Sequence, residues 1–182
     1  MVRVTTGCMW SGKSAALLAV VRYYLSSPQP IRVEAYVPST AGVAVIRSRD
    51  GSPSLPAKPV EDKDFHDLSF REDHLKYLVV VSECQFLGPG LASFTARHMR
   101  SHDVCLLLEG LSYDSDHQPF GPLLEITSWG CPTTTLYACC AVCRGRATHT
   151  YHRGPKGAQV QVGDSGYEPR CEPCWLMGRQ WA

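Results

Sequence analysis

Eight residues near the start of the chain, Gly7-Cys8-Met9-Trp10-Ser11-Gly12-Lys13-Ser14, spell G-x-x-x-x-G-K-S. That spacing makes a P-loop, a cradle for nucleotide phosphates. Gly7 and Gly12 let the backbone turn tightly and approach a ligand closely. The N–H groups along the loop, through Met9, Trp10 and Ser11, then point into one concavity at the positive end of the following helix. Lys13 adds a cation for the β- and γ-phosphates, and the Ser14 hydroxyl offers a ligand to Mg²⁺.

A second constellation lies at the other end of the chain. Cys140-Ala-Val-Cys143 and Cys171-Glu-Pro-Cys174 each place two thiols on a tight knuckle. Four thiolates of this kind make a closed tetrahedral zinc site. A small module with little core would take its folding energy from that metal. Cys139 adjoins Cys140, but only Cys140 completes C-x-x-C with Cys143. Two residues stand alone. Glu83 follows the apolar run Leu78–Val81 and could face the P-loop, although a carboxylate there is often just a surface residue. Asp50 precedes Gly51, a pair that forms turns by itself.

Regular elements must hold these groups in place. Met1–Thr6 fits a first strand and Ala15–Leu25 a helix packed on a sheet, ended by Pro28. Ile31–Tyr36 reads as a second strand. Val37–Pro59 is rich in Pro, Ser and Gly and is expected to form a long, mobile loop or hairpin, with Val43–Ile46 extended. A short helix is expected over Asp64–His74, an amphipathic one over Leu91–Arg100, and buried strands at Leu78–Val81 and Val104–Glu109. Strands alternating with helices predict a parallel α/β sheet, with ligands at the carboxyl ends of its strands. Gly7–Ser14 and Ser82–Phe86 both fall at such ends. Past Thr135 the pattern changes to cysteine pairs and turn residues with little helix signal. The predicted division is 1–136 for the nucleotide-binding part and 137–182 for the zinc part.

Composition excludes several classes. The 182 residues can bury one sizeable core with a small appendage. Lys and Arg number 18 against 17 Asp and Glu, so no basic field is available for nucleic acid, and a zinc-ribbon nucleic-acid binder has little support. No apolar run approaches a membrane span. The N-terminus enters the P-loop with no charged-then-apolar leader, so the chain is expected to be cytoplasmic. An odd total of nine cysteines in such a chain argues for metal rather than disulfides.

The motifs in their order resemble the type II, cellular or human-like, thymidine kinases. Gly7–Ser14 is similar to that family's G-P-M-F-S-G-K-S. Ser82-Glu83-Cys84-Gln85-Phe86 resembles D-E-[AG]-Q-F, and Gly110–Gly121 resembles G-L-D-x-D-F-x-G-x-P-F-G. Cys140–Arg153 looks like the family's knuckle ending in A-T-x-T-x-R, and Tyr167–Trp175 resembles its Y-x-x-x-C-x-x-C. The resemblance implies a P-loop (RecA-like) parallel sheet flanked by helices, with a C-terminal zinc-ribbon lasso closing over the base. It implies transfer of the ATP γ-phosphoryl group to the 5′-hydroxyl of thymidine or deoxyuridine, with Glu83 as general base. Asp50 and Gln85 would join the phosphate side. Met9, Phe86, Phe120, Thr150, Val160, Val162, Gly163 and Tyr167 would line the base pocket. A structural Zn²⁺, Mg²⁺ with ATP, a homotetramer and feedback inhibition by thymidine triphosphate follow from the same likeness.

Four positions, in three segments, depart from the family pattern. Ser82 stands where the family has a Mg²⁺-associated aspartate. Gly51 stands where an arginine follows Asp50, with Arg49 nearby. Ser112 and Ser115 replace an aspartate and a phenylalanine. The alternative expectation is therefore a catalytically weak or silent nucleotide-binding homologue.

Overall fold

The computed structural model describes residues 1–70, 75–154 and 166–180. Strand β1 is Val2–Gly7, with Val2 and Val4 pointing into the core. The P-loop follows, and helix α1 runs Lys13–Leu25, burying Leu17, Leu18 and Val21. Strand β2 is Ile31–Pro38. Part of the stretch expected to be a loop or hairpin is a small antiparallel hairpin, β3 (Val45–Ile46) with β4 (Leu55–Pro56). Strand β5, Lys58–Val60, then joins the sheet beside β2. The chain continues through β6 (Lys76–Val81), α2 (Pro89–His98), β7 (Val104–Gly110), α3 (Leu123–Ser128) and β8 (Thr133–Leu136).

Among the described residues these strands form a six-stranded sheet in the order β5-β2-β6-β7-β1-β8, every pair parallel. Side-chain alternation sends Leu78, Val80 and Leu107 to one face, against Leu17, Leu18 and Val21 of α1. Val79, Val81, Leu106 and Leu108 point to the other, against Phe65, Leu91, Phe94 and Ile126. Each fully buried Val, Leu or Phe contributes roughly 1.5–3 kcal/mol. The carboxyl ends of β1, β6 and β7 are thus held on a rigid platform.

Over the described residues of Asp64–His74 the expected helix is not formed. A 3₁₀ turn spans Asp62–His66 instead, and residues 71–74 lie outside the described ones. Tertiary contacts decide it. Phe65 is fully buried, and the Asp62 carboxylate accepts the N–H groups of Gly88, Gly90 and Leu91 at 2.8–3.0 Å, satisfying the open N-terminus of α2.

Beyond β8, two small antiparallel pairs follow: β9 (Ala138–Cys139) with β10 (Arg146–Ala147), and β11 (His149–His152) with β12 (Tyr167–Arg170). The chain closes with α4, Glu172–Gln180. That helix corrects the expectation of little helix past Thr135. Its Pro173 sits in the first turn, where no N–H is needed. Trp175 anchors it by donating its indole N–H to the Ser115 carbonyl at 3.0 Å.

Candidate functional site

The site is built where β1, β7 and β6 end. β1 delivers the P-loop, and Gly7 lies at φ 147° against the edge of β8. A Cβ on Gly7 would sit 2.2 Å from the Leu136 carbonyl oxygen, so only glycine lets the loop leave the sheet here. Lys13 is buried and donates to the Cys8 carbonyl at 3.0 Å, which holds its ammonium inside the loop. The Ser11 hydroxyl is buried with no hydrogen-bond partner among the described residues, and lies 2.7 Å from where a Gly7 Cβ would be. An orphaned donor inside the loop suits a phosphate oxygen. Trp10 stands exposed beside the loop, with the Arg49 guanidinium 3.8 Å above its ring.

Glu83 follows β6 with a left-handed backbone, φ 57° and ψ 41°. A non-glycine residue there is strained, which a functional carboxylate often tolerates. Gln85 fixes its aim. The buried Gln85 amide accepts the Leu111 N–H on its oxygen at 3.0 Å, so its nitrogen faces and donates to Glu83 Oε2 at 2.5 Å. Gly121 closes over Gln85 so tightly that a Cβ would approach the Gln85 Cα to 2.5 Å. Glu83 itself is only half-buried, within reach of a substrate.

Between these two groups lies Glu109, on β7, the strand separating β6 from β1. It is 1% exposed. Its Oε2 accepts the Ser82 hydroxyl at 2.5 Å. Burial first, and then the charge of Glu83, push its carboxyl from 4.5 up to about 7, while Lys13 and the Ser82 hydroxyl pull the other way. An acid with a raised folded pKa binds its proton more tightly folded than unfolded. Folding stability is then complete below the unfolded pKa and is lost as pH rises through about 7. Glu109→Gln is accordingly expected to melt with wild type below pH 4.5. By pH 8 it should be more stable, by up to roughly 3 kcal/mol for this size of shift, read by thermal unfolding across that pH range.

The zinc-type cluster is assembled. Cys140 and Cys143 lie on the β9–β10 knuckle, Cys171 follows β12, and Cys174 is in the first turn of α4. Their four sulfurs lie within 4.8 Å of one another, and the Cys143 and Cys171 sulfurs are 3.5 Å apart. Zn–S bonds of 2.3 Å in a tetrahedron set the sulfurs about 3.8 Å apart, so the donor set fits a zinc ion. All nine cysteines are free. Cys139 points away, exposed, toward the Arg144 carbonyl. The cluster packs directly on the P-loop, because Cys140 and Cys174 share a buried cluster with Cys8 and Ala147. The Met9 N–H also donates to Thr150 Oγ1 at 3.0 Å.

Of the sequence-predicted base-pocket residues, Met9 and Thr150 meet in that bond, and Phe86 and Phe120 stack edge to face at 5.6 Å. Tyr167 packs on His152 at 4.6 Å. Val160, Val162 and Gly163 lie outside the described residues. Asp50 is exposed and accepts the Ser52 N–H at 2.9 Å, as an Asp-Gly turn former does. A cavity of about 340 Å³ beside β8 shares Gly7 and Thr150 with the site. Neither Lys13, Glu83 nor Glu109 lines it.

A phosphate loop, an aimed carboxylate and a four-thiol knuckle packed on that loop now share one region. The sequence profile described as Thymidine kinase matches residues 1–175. The chain belongs to the thymidine kinase family. It is similar to the thymidine kinase of Mesomycoplasma hyopneumoniae strain 7448, 26% identical over 178 residues that cover 96% of this chain and 94% of the relative. The thymidine kinase of Bacteroides thetaiotaomicron is 26% identical over 182 residues, covering 98% and 88%. That of Porphyromonas gingivalis strain ATCC 33277 is 26% identical over 177 residues, covering 96% and 84%. Within this family's α/β fold, the six-stranded parallel sheet carries the G-x-x-x-x-G-K-S loop at the end of β1. Among the described residues no helix is long and apolar enough to cross a membrane.

Sequence reasoning missed Glu109. Its signal was present, since Leu106-Leu-Leu-Glu109-Gly110 ends an apolar run in a carboxylate just as Val79-Val-Val-Ser82-Glu83 does.

Proposed function

We propose that this thymidine kinase family member phosphorylates the 5′-hydroxyl of thymidine or deoxyuridine with ATP. The observation that carries this reading is Glu83, half-buried and aimed by Gln85, on the same sheet edge as the P-loop. In the reaction, Glu83 takes the proton of the nucleoside hydroxyl. The hydroxyl oxygen bonds to the γ-phosphorus, the bond to the β-phosphate oxygen breaks, and ADP leaves. Lys13 and the loop N–H groups hold the phosphates and the charge that spreads over them. Ser14 would hold Mg²⁺, which neutralises phosphate charge when bound.

The base would rest among Met9, Phe86, Phe120, Thr150, Val160, Val162, Gly163 and Tyr167. Apolar walls with a few backbone polar groups suit a pyrimidine. Asp50 and Gln85 complete the phosphate side, Gln85 through its bond to Glu83. A structural Zn²⁺ would be held by Cys140, Cys143, Cys171 and Cys174. We place the boundary between the nucleotide-binding part, 1–136, and the zinc part, 137–182, at the end of β8. A homotetramer, inhibition by thymidine triphosphate and a cytoplasmic location belong to the same reading.

The test is a panel of nucleosides with ATP and Mg²⁺, following ADP. Thymidine and deoxyuridine are expected to drive ADP release and purine nucleosides are not. ATP turnover indifferent to added nucleoside would sink the proposal.

A further inference from the structure

The family's aspartate is replaced by Ser82, yet the site does not lack a carboxylate. We propose that Glu109 supplies the carboxylate facing the hydrated Mg²⁺ of bound nucleotide, from the strand next to the one where Ser82 leaves that position neutral. This inference rests on the ATP-dependent reading above.

Parity places Glu109 where such a group is needed. On β7, Cys105 and Leu107 face the α1 side of the sheet, and Glu109 continues that row. On β6, Leu78 and Val80 face the same side, and Ser82 continues theirs. Val81 pairs with Leu108, so Ser82 comes level with Glu109. Both therefore point beneath the helix whose first residues are Lys13 and Ser14. On its other flank Glu109 pairs with Thr5, two residues before the P-loop begins at Gly7. The carboxylate thus lies between the phosphate loop and Glu83.

Its surroundings are not those of a structural ion pair. Glu109 is 1% exposed at the end of an apolar strand, and no salt bridge pairs it among the described residues. The Ser82 hydroxyl and the Glu83 backbone N–H donate to the carboxylate, which with about four lone-pair sites keeps room for a further partner. Burying such a group beside a second carboxylate, Glu83, is unfavourable unless positive charge compensates it. Lys13 is one cation within its field. A hydrated dication on the nucleotide would be the other. Ser82 then has a defined part as well, since its hydroxyl donates to Glu109 and fixes the carboxylate's rotation.

The experiment uses the full chain, a non-hydrolysable ATP analogue and Mn²⁺ as the probe, with calorimetry and Mn²⁺ paramagnetic resonance. In wild type, Mn²⁺ is expected to tighten analogue binding. Glu109→Gln should weaken Mn²⁺ binding to the protein–analogue complex by about 10–100-fold, as loss of an outer-sphere partner does. Metal-free analogue affinity should stay as in wild type, which a merely structural role would not predict. Ser82→Asp added to Glu109→Gln should recover most of the lost Mn²⁺ affinity, because it returns a carboxylate to the same pocket. Unchanged Mn²⁺ affinity in Glu109→Gln overturns the inference and leaves the ATP-dependent reading standing. Failure of the double variant to recover affinity also overturns it. A wild-type chain that binds no analogue, with or without Mn²⁺, overturns both.

Discussion

Glu83→Gln is expected to lower kcat for thymidine phosphorylation by about 10²–10⁴-fold, the range for loss of a general base. The substitution is nearly isosteric. The Gln85 amide nitrogen can still donate to the remaining side-chain oxygen, and the Gln85 oxygen keeps the Leu111 N–H. The strained backbone at φ 57° is as available to Gln as to Glu. What disappears is the proton acceptor together with its negative charge, which also ceases to push up the Glu109 carboxyl. KM for ATP should stay near wild type, because the P-loop bonds of Lys13 and Met9 do not involve this side chain. Steady-state kinetics with both substrates varied separates the two quantities. A fall in ATP affinity with kcat preserved would show that Glu83 serves the phosphates and not the hydroxyl proton.

Loss of zinc should be as damaging by a different route. Cys140→Ser, or chelation of the wild-type chain, is expected to abolish zinc content and reduce activity by about 10²-fold or more, a misplacement effect. The metal supplies roughly 10–16 kcal/mol to small zinc modules, against about 5–15 kcal/mol of stability for a whole domain. The two short strand pairs and α4 around the cysteines could not hold without it. The damage reaches the P-loop because Cys8 and Ala147 share a buried cluster with Cys140 and Cys174, and the Met9 N–H rests on Thr150. Cys139→Ser, one residue away but exposed and outside the four sulfurs, should leave zinc and activity intact. Metal analysis, circular dichroism and turnover on the two variants decide the matter. Equal zinc and activity in Cys140→Ser and wild type would contradict the assignment.

Much of this arrangement was legible because local chemistry and global fold agree. The strand–loop–helix around Gly7–Ser14 carries its own glycines and amphipathic partner, and Leu78–Val81 is too apolar to lie anywhere but in a central strand. The paired C-x-x-C knuckles announced their own convergence, and the four sulfurs meet. Features set by distant contacts were not legible. The Asp62–His66 turn exists because Asp62 caps α2, which lies 26 residues further along the chain at Gly88. Helix α4 is only nine residues long and opens inside a cysteine knuckle, where turn residues mask its periodicity. Strand β8 reads Thr-Thr-Thr-Leu and is mostly exposed, so no apolar alternation marks it.

Glu109 was hidden for a related reason. A single acidic residue after an apolar strand reads as the point where the chain reaches water. Only sheet order and register show that this one faces inward, level with Ser82 and beneath α1. In the folded chain the Ser82 hydroxyl donates to a carboxyl group one strand away.

A γ-phosphoryl group held by Gly7–Ser14 is expected to pass to a nucleoside hydroxyl near Glu83. The most direct measurement follows γ-labelled ATP incubated with the chain, Mg²⁺ and thymidine. Label is expected in thymidine monophosphate, equimolar with ADP, and absent when thymidine is withheld. Label appearing only as inorganic phosphate, at the same rate with and without thymidine, would contradict it.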